Sequence, residues 1–530
     1  MTEKKIVEEK TDHPPTHHVE HAKLKKEMGL LGLTCVAVGG MIGSGIFSLP
    51  AVMASVAGPS FLYGLLLTGI IVTFLALPYT ELGSAFPITG GPYALPRLAF
   101  GDFGGFTMGW AYFLYAFIGT AAIIDIFVTY LNYYIPGLAV GLTLTPVGIV
   151  VAVIFLWIWT AMNILGVKWG ALYGIITTFG KIIPLLLFAG VGLLYLNVGN
   201  FSNPFPFGVS SIGLAMSLGF FSFTGFEAVV IPSAEVKNPG RTIPLAMLLT
   251  IAIVTAVYMF VSFAFTGMIS WAGLNLKVGD WASIGNLSSP LANVGAALGL
   301  PILAAVAIVG AVISTAGAGG DWVLFQGRIP FAMAADHLFF KSMATVDEKH
   351  GTPVKALLFA SALTMIIQIL IPNFPSAALV ASITTLVPYA AAALALPVLR
   401  RNRPEVERPV KIPFALAIAI VGFVGASIFV YWAAWPWTIV GAVLMILGAP
   451  LFYLFKRPIT GELKRTAWIW VYLVGLAIFS YIGDPFFTFS NFLPIGPIGL
   501  LRYPYDGIAV TVFSLLIFGW AYKSSVRRAA

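Results

Sequence analysis

Ionisable side chains stand inside long apolar stretches of this 530-residue sequence, and three of them are Lys181, Glu227 and Asp125. An ionisable group in a membrane-spanning stretch is costly in hydrocarbon, and it usually marks an ion, proton or substrate pathway. An enzyme would instead need a convergent set of nucleophile, base or metal ligands, yet all six histidines lie outside the apolar stretches and Cys35 is the only cysteine. The sequence therefore predicts no catalytic residue, no metal site and no cofactor.

Glycine-rich runs interrupt two of the apolar stretches. The first run contains Gly43, Ser44 and Gly45, and the second contains Thr224 beside Gly225. Each glycine costs about 1 kcal/mol relative to alanine inside a helix, so we expect both stretches to unwind there. An unwound segment at the start of a half-helix presents amide N–H groups that suit a carboxylate. Close helix packing through small residues is the alternative for the first run.

The composition of the chain indicates that the helices carrying these residues lie in a lipid membrane. Hydrophobic residues make up 59% of the chain and charged residues 9%, with a mean hydropathy of +0.94, whereas soluble domains carry roughly 25% charged residues. These values exclude a soluble domain, a coiled coil and a disordered chain. A helix needs about 20 apolar residues to cross a membrane. We therefore predict an all-α integral membrane protein with about 14 transmembrane helices, at 29–57, 62–86, 104–135, 147–165, 169–196, 209–233, 243–270, 293–325, 354–372, 376–398, 413–433, 436–455, 466–483 and 507–523.

The basic residues orient these predicted spans. With a cytoplasmic N terminus, 26 of the 29 lysines and arginines fall in cytoplasmic segments, Lys277 and Arg502 fall outside, and Lys181 lies within a span. Because positive charge is retained on the cytoplasmic side, we expect a multi-pass protein of the cytoplasmic membrane with both termini cytoplasmic. The net charge of +8 is then explained by the orientation of the chain in the membrane and by contact with membrane lipids. We therefore expect no nucleic-acid partner.

The two glycine-rich breaks occupy corresponding positions in two halves of the chain. Gly45 precedes Pro59 by the same interval that separates Gly225 from Pro239. The predicted spans that contain them run in opposite directions. Paired, interrupted spans of this kind are typical of secondary transporters built from inverted repeats, which bind substrate near the middle of the membrane.

The motifs of the chain resemble those of the amino acid–polyamine–organocation (APC) superfamily of permeases. The resemblance covers about residues 29–411 and is carried by Gly39 and 42–47 in the first stretch, Tyr79 and 81–83 in the second, Pro87, 90–91 and Tyr93 after it, Asn163, Gly166 and Lys168 before the fifth, Phe223 and 225–227 in the sixth, Glu235 and 237–239 after it, and Arg328, 351–353 and 399–409.

The resemblance implies a leucine-transporter-type 5+5 inverted-repeat fold in which helices 1 and 6 are discontinuous. It implies alternating-access transport of amino acids or related amines. The expected organisation is a polar cytoplasmic tail (1–28), a ten-helix transport core (29–398) with repeats at about 29–196 and 209–398, a basic cytoplasmic loop (399–412) and four accessory transmembrane helices (413–530).

Carried over from the family, the substrate site combines the two breaks with the third span. The substrate carboxylate would bind the amides of Gly43, Ser44 and Gly45, and its amine would meet carbonyls of the sixth span. The remaining predicted contacts are the carbonyls of Phe221, Ser222 and Thr224, and a side-chain pocket of Tyr112, Tyr115 and Ala116 with Phe221 as a lid. Thr120 and Phe221 stand where some arginine exchangers of the family carry Asn and Trp, which argues against arginine-type substrates.

The resemblance also implies how transport is coupled. In a branch of the family, a lysine matching Lys181 replaces the bound sodium ion, contacting carbonyls of the first span and a hydroxyl of the eighth, for which Ser314 and Thr315 are candidates. This favours sodium-independent proton symport. A lysine reaching to the membrane interface is the alternative. Glu227 resembles the family's gating glutamate, and Asp125 is a further coupling candidate without a motif.

Other assignments remain open at this stage. Amino acid exchange is the main alternative to symport, and a permease for polyamines or other organic cations would need acidic groups such as Glu227 and Asp125. Glu81 forms either a cytoplasmic ion pair, with Arg97 or Lys168, or part of a gate. Because Cys35 falls within the first span, we expect no disulfide-linked heavy chain; the predicted partners are an amino acid or amine, the proton and lipids.

Overall fold

The computed structural model is helical, with one short β-hairpin. It describes residues 28–86, 91–165, 170–230, 236–347, 351–456, 460–486, 488, 493 and 495–526. The helices are α1 (Leu30–Met41), α2 (Gly45–Ala57), α3 (Phe61–Ala85), α4 (Gly91–Leu131), α5 (Pro146–Ile164), α6 (Gly170–Leu194), α7 (Ser211–Phe220), α8 (Pro239–Met268), α9 (Trp281–Ile284), α10 (Pro290–Ala297), α11 (Pro301–Ala335), α12 (Val354–Leu370), α13 (Phe374–Asn402), α14 (Ala415–Trp432), α15 (Trp437–Ile446), α16 (Gly448–Phe452), α17 (Thr460–Ile482) and α18 (Tyr505–Ser525). Strands β1 (Ala139–Val140) and β2 (Thr143–Leu144) pair antiparallel.

Several sequence predictions fall on residues outside these ranges. They are the N-terminal tail up to residue 27 and the motif residues Pro87, Gly90, Gly166, Lys168 and Glu235.

The apolar helices make this a multi-pass membrane protein and confirm the all-α prediction. Ten helical stretches in the described ranges are long and apolar enough to cross a membrane, and four shorter apolar helices accompany them. The predicted span at 293–325 is misplaced, because Gly299, with φ of +73°, separates α10 from α11. A proline at the first position of a helix favours helix initiation, and Pro301 starts α11 there.

Two helices are interrupted at the glycine-rich runs. The first stops at Met41 and resumes at Gly45 as α2. The sixth predicted span begins as α7, continues as a 3₁₀ turn at Phe221–Phe223 and turns at Gly225, whose φ is +100°. Because a left-handed conformation strains residues with a Cβ, glycine suits this turn. The interruptions therefore place backbone N–H and C=O groups in the interior of the helix bundle.

The C-terminal helices pack on the elements that carry these breaks. Ser217 of α7 donates a hydrogen bond of 2.7 Å to the carbonyl of Phe429 in α14, and Trp110 of α4 donates one of 2.9 Å to the carbonyl of Leu444 in α15. The apolar parts of α4 and α13 are wholly enclosed. The C-terminal helices therefore support both the broken sixth helix and the enclosed α4.

A buried carboxylate joins the end of α3 to the basic loop after α13. The Glu81 side chain is fully buried, and Arg400 binds it with two hydrogen bonds, one of them 2.7 Å long from Nε. The Ile412 amide donates a third hydrogen bond at 2.8 Å, and Arg408 Nε lies 3.5 Å from the carboxylate. The predicted pairing with Arg97 is wrong, because Arg97 instead contacts two aspartates, Asp102 and Asp336, at 2.7 and 2.6 Å. The basic loop is thus folded onto the core by a carboxylate that lies more than 300 residues away in sequence.

Replacing Glu81 with glutamine should lower the free energy of unfolding by about 3 kcal/mol, because Arg400 and Arg408 lose their buried counter-charge. Thermal unfolding of the purified protein in detergent measures this change. Lys456→Ala is the matched control, since its ion pair with Asp102 involves a lysine side chain that is 44% exposed and such pairs contribute about 0–1 kcal/mol. An E81Q protein as stable as the wild type would contradict the assignment.

Candidate functional site

In the described structure, the gap between α1 and α2 leaves the adjacent backbone amides of residues 43–46 without a backbone acceptor. The Ile42 amide still donates to the Val38 carbonyl at 2.9 Å, and hydrogen bonding resumes where Phe47 donates to Ser44 at 3.3 Å. Between them, the amides of Gly43, Ser44 and Gly45 donate to no other described residue. The first amides of a helix carry its positive dipole end and bind anions. The start of α2 can therefore hold a carboxylate, as predicted for these three residues.

The two interrupted helices touch at glycines, one on each helix. A Cβ added to Gly45 would lie 2.2 Å from Ser222 Oγ and 3.1 Å from its Cα, and one added to Gly225 would lie 3.3 Å from the Gly40 carbonyl oxygen. The Tyr258 hydroxyl of α8 lies 2.9 Å from the Ser222 carbonyl and 3.0 Å from the Met41 carbonyl. Tyr258 thus bridges both breaks, which the sequence reasoning missed.

The carbonyls predicted to receive the amine differ in what they already bind. The Phe221 carbonyl accepts hydrogen bonds from both the amide and the hydroxyl of Thr224, at 3.3 and 2.7 Å. A carbonyl oxygen has two lone pairs, so this acceptor is filled. The Ser222 carbonyl has one donor, Tyr258, whereas the Thr224 carbonyl accepts from no described residue. Of the three, Ser222 and Thr224 retain capacity for an ammonium.

Glu227 is buried directly after the turn at Gly225 and is bound from three sides. The Tyr112 hydroxyl donates to Oε1 at 2.5 Å, the Tyr389 hydroxyl donates to Oε2 at 2.6 Å, and the Gly225 amide donates to Oε2 at 3.2 Å. Tyr112 belongs to α4 and Tyr389 to α13. The carboxyl group therefore ties the sixth-helix break to two enclosed helices. Sequence reasoning missed Tyr389, although a lone tyrosine after Pro388 in an alanine-rich helix is a signal that could have found it.

Aromatic side chains surround the space beside Thr224. Tyr115 is fully buried, faces Thr224 with its hydroxyl and packs its ring edge-on against Trp322 at 5.0 Å between centroids. Phe221 packs edge-on against Phe374 at 5.8 Å. Thr120 turns its hydroxyl back to the Ala116 carbonyl of its own helix at 2.8 Å, so it offers no free donor. The residues predicted to contact the substrate side chain thus lie among aromatic rings, and Trp322 is a neighbour that sequence reasoning did not name.

Lys181 and Ser314 bind successive turns of the first helix. Lys181 is 2% exposed and its Nζ donates to the Gly39 carbonyl at 2.7 Å. The Ser314 hydroxyl donates to the Gly43 carbonyl at 3.2 Å, whereas Thr315 donates to Ala311 of its own helix at 2.6 Å. In the described contacts, neither hydroxyl binds the lysine. Lys181 therefore reaches a carbonyl of the broken helix and not a membrane interface.

Asp125 is the predicted residue that the structure leaves apart from these groups. Its side chain is fully buried in α4, and within the described part of the chain neither carboxyl oxygen has a hydrogen-bond partner.

A family model described as "Amino acid permease" matches residues 28–479 of the chain. Among curated relatives, the glutamate/serine transporter AimA of Bacillus subtilis (strain 168) is 27% identical over 522 residues, which cover 95% of this chain and 94% of the relative. The aspartate-proton symporter of the same organism is 29% identical over 534 residues, covering 96% and 99%. Its serine/threonine exchanger SteT is 29% identical over 455 residues, covering 83% and 99%.

Gly45→Ala should destabilise the contact between the two breaks by about 1–3 kcal/mol, because its methyl group overpacks against Ser222. Thermal unfolding in detergent measures the loss, and adding Ser222→Gly should restore part of it. Gly190→Ala in α6 is the control, since no atom lies within 4 Å of the added Cβ. Equal stability of the G45A and G190A proteins would show that the helices do not touch there.

Proposed function

The chain belongs to the amino acid permease family of the APC superfamily, and on this premise we propose that it is a secondary active transporter of amino acids in the cytoplasmic membrane. The observation that carries the proposal is the free amide run at Gly43, Ser44 and Gly45, which faces the break of a second helix. A central site between two broken helices suits alternating access, in which one site opens to each side in turn.

The architecture that we propose is the 5+5 inverted repeat, with repeats at about 29–196 and 209–398 and four accessory helices after the loop at 399–412. The paired interruptions at Gly43 and Gly225 support it, as does the packing of α14 and α15 outside the broken helices. The distribution of basic residues supports about 14 spans with both termini in the cytoplasm.

The substrate would lie with its carboxylate on the amides of α2 and its ammonium on the carbonyls of Ser222 and Thr224. Tyr115 and Trp322 would face the side chain, and Phe221 would cover it from the side of Phe374. Relatives named for glutamate, serine and aspartate support an amino acid as substrate. A polyamine would need a free acidic group in the pocket, whereas Glu227 is already bound by two tyrosines and a backbone amide.

Lys181 is the residue that we assign to coupling. A protonated Lys181 donates its hydrogen bond to Gly39 and so holds α1 against α6, and loss of the proton leaves the amine a much poorer donor. Protonation of Lys181 would therefore favour the conformation in which the amides at the start of α2 are in place to bind substrate. In that conformation Ser314 donates a hydrogen bond to the Gly43 carbonyl. This mechanism needs no sodium ion. A relative named as a proton symporter supports symport, and a relative named as an exchanger keeps exchange as the second candidate.

Amino acids should raise the thermal unfolding temperature of the purified protein, because a ligand stabilises the state that it binds, by about 2.7 kcal/mol at a hundred times its Kd. A panel of amino acids and polyamines read by differential scanning fluorimetry identifies the ligand. The G45A protein should lose the effect, and the G190A protein should keep it. Stabilisation by polyamines alone would contradict the proposed substrate class.

Lys181→Ala should abolish uphill uptake driven by a pH gradient in proteoliposomes, whereas Lys456→Ala, a change at an exposed lysine, should not. The reason is that alanine cannot carry the proton that switches the contact with Gly39. Accumulation by K181A equal to that of the wild type would overturn the coupling role.

Counterflow in the absence of a gradient distinguishes coupling from folding. K181A should still exchange internal for external substrate if the site remains formed. Loss of both activities with an unchanged unfolding temperature would assign Lys181 to substrate binding instead.

A further inference from the structure

Asp125 is a fully buried carboxyl group that the proposed mechanism leaves without a task. Both of its oxygens lack a hydrogen-bond partner among the described residues, and no ion pair reaches it there. Glu227, buried to a similar degree, has donors on both oxygens. Burying an ionised carboxylate without partners costs far more than protonating it. Asp125 is therefore a neutral acid in this enclosed state.

The depth of Asp125 follows from a contact one turn further along α4. The Tyr130 hydroxyl donates to the Phe47 carbonyl of α2 at 2.6 Å. The two helices are separated by the single helix α3, so they run in the same direction. Five residues of helix span about 7.5 Å, so Asp125 lies about this far along α4 from Tyr130, in the direction of the first-helix break. The acid thus lies on the same side of the Tyr130 contact as the candidate substrate site.

A polar stripe leads from Asp125 toward the end of α4. Residues four and seven positions apart share a helix face, and the positions after Asp125 at this spacing are Thr129 and Asn132. The Thr129 hydroxyl donates to the Ile126 carbonyl of its own helix at 2.9 Å, which leaves its oxygen free only as an acceptor, and the Ser289 hydroxyl donates to the Thr129 carbonyl at 3.5 Å. Asn132 is partly exposed, and its side-chain oxygen accepts from the amides of the segment after α4. The other residues between Asp125 and Asn132 are apolar apart from Tyr130. The stripe runs from a buried acid toward the side of the membrane that the proposed topology places outside.

Lys181 contacts the first helix on the proposed cytoplasmic side of the break, whereas the stripe from Asp125 runs toward the proposed outer side. Gly39, its acceptor, precedes Gly43 by one turn of α1, about 6 Å nearer the proposed cytoplasmic side. Among the titratable groups on helices packed against α4, Tyr389 binds Glu227, Glu81 binds Arg400, and Asp321 interacts with Lys181. Tyr79 packs its ring against Phe226 and Tyr389. Asp125 is thus separate from the lysine and from the Glu227 cluster.

We propose that Asp125 is a proton-binding site of the transport cycle, neutral in the enclosed state and exchanging its proton with outer water along the Thr129–Asn132 stripe. The acid takes a proton from hydronium when water reaches it and returns the proton to water when it ionises. This assignment rests on the transport function proposed above but not on the role of Lys181.

The test compares Asp125→Asn with the wild type in proteoliposomes at acidic and neutral outer pH. Asparagine keeps the shape of the neutral acid but cannot release a proton. One coupled proton raises attainable accumulation about tenfold for each pH unit of gradient. We expect the pH response of uptake by the D125N protein to be about tenfold smaller per pH unit than that of the wild type, the contribution of one proton, while counterflow continues. The same pH response in D125N as in the wild type would overturn the proposal.

Three further variants keep the result interpretable. Asp506→Asn is the matched control, since Asp506 is a buried acid of α18 that accepts a hydrogen bond from Tyr431, and its change should leave the pH response intact. Asp125→Glu should retain the response, and Thr129→Val should slow it. If D125N does not fold, an unchanged pH response in T129V together with its loss in D125E overturns the proposal.

The failure of this proposal differs from failure of the proposed function. A wild-type protein without counterflow of any amino acid would contradict amino acid transport itself. A wild type that transports with a pH response which D125N shares would overturn only the role of Asp125.

Discussion

An interrupted helix inside a membrane must satisfy the backbone groups that it exposes, because no water or lipid group there can do so. The break between Met41 and Gly45 exposes carbonyls at the end of one half-helix and amides at the start of the next. Side chains from other helices bind the carbonyls: Lys181 binds Gly39 and Ser314 binds Gly43. The amides receive no such partner from the described residues. This asymmetry is the basis for the proposal that the site binds an anionic group.

The second broken helix is held by a different kind of contact. Glu227 follows the turn at Gly225, and its carboxyl group accepts hydrogen bonds from both Tyr112 and Tyr389. Any movement of this helix relative to α4 and α13 must exchange these hydrogen bonds for others. Tyr258 connects this helix to the first break through the Met41 and Ser222 carbonyls. The two breaks are therefore mechanically linked and are expected to rearrange together.

Three of the buried acids, Glu81, Glu227 and Asp125, show how partners determine what a carboxyl group can do. Glu81 faces two arginines and an amide, so its charge fastens the basic loop to α3. Glu227 accepts hydrogen bonds from neutral donors and positions a helix. Asp125 has neither arrangement among the described residues. An acid without partners responds most directly to the arrival of water, which is the property that a proton site requires.

The sequence by itself determined the features that depend on local composition. The apolar content required a multi-pass helical protein, and Gly43, Gly45 and Gly225 located the interruptions, because glycine weakens a helix wherever it stands. The motifs identified the family, and Lys181 was recognised because a lysine inside an apolar stretch has a cost that the sequence alone reveals.

Only the tertiary structure decided which groups meet across the bundle. Arg400 for Glu81, Tyr389 for Glu227 and Tyr258 for the two breaks are partners distant in sequence, and Ser314 rather than Thr315 reaches the first helix. Adjacent hydroxyls on one helix point about 100° apart, so helix rotation and register select between them. Rotation and register are set by the packing of whole helices, which no local pattern of residues specifies.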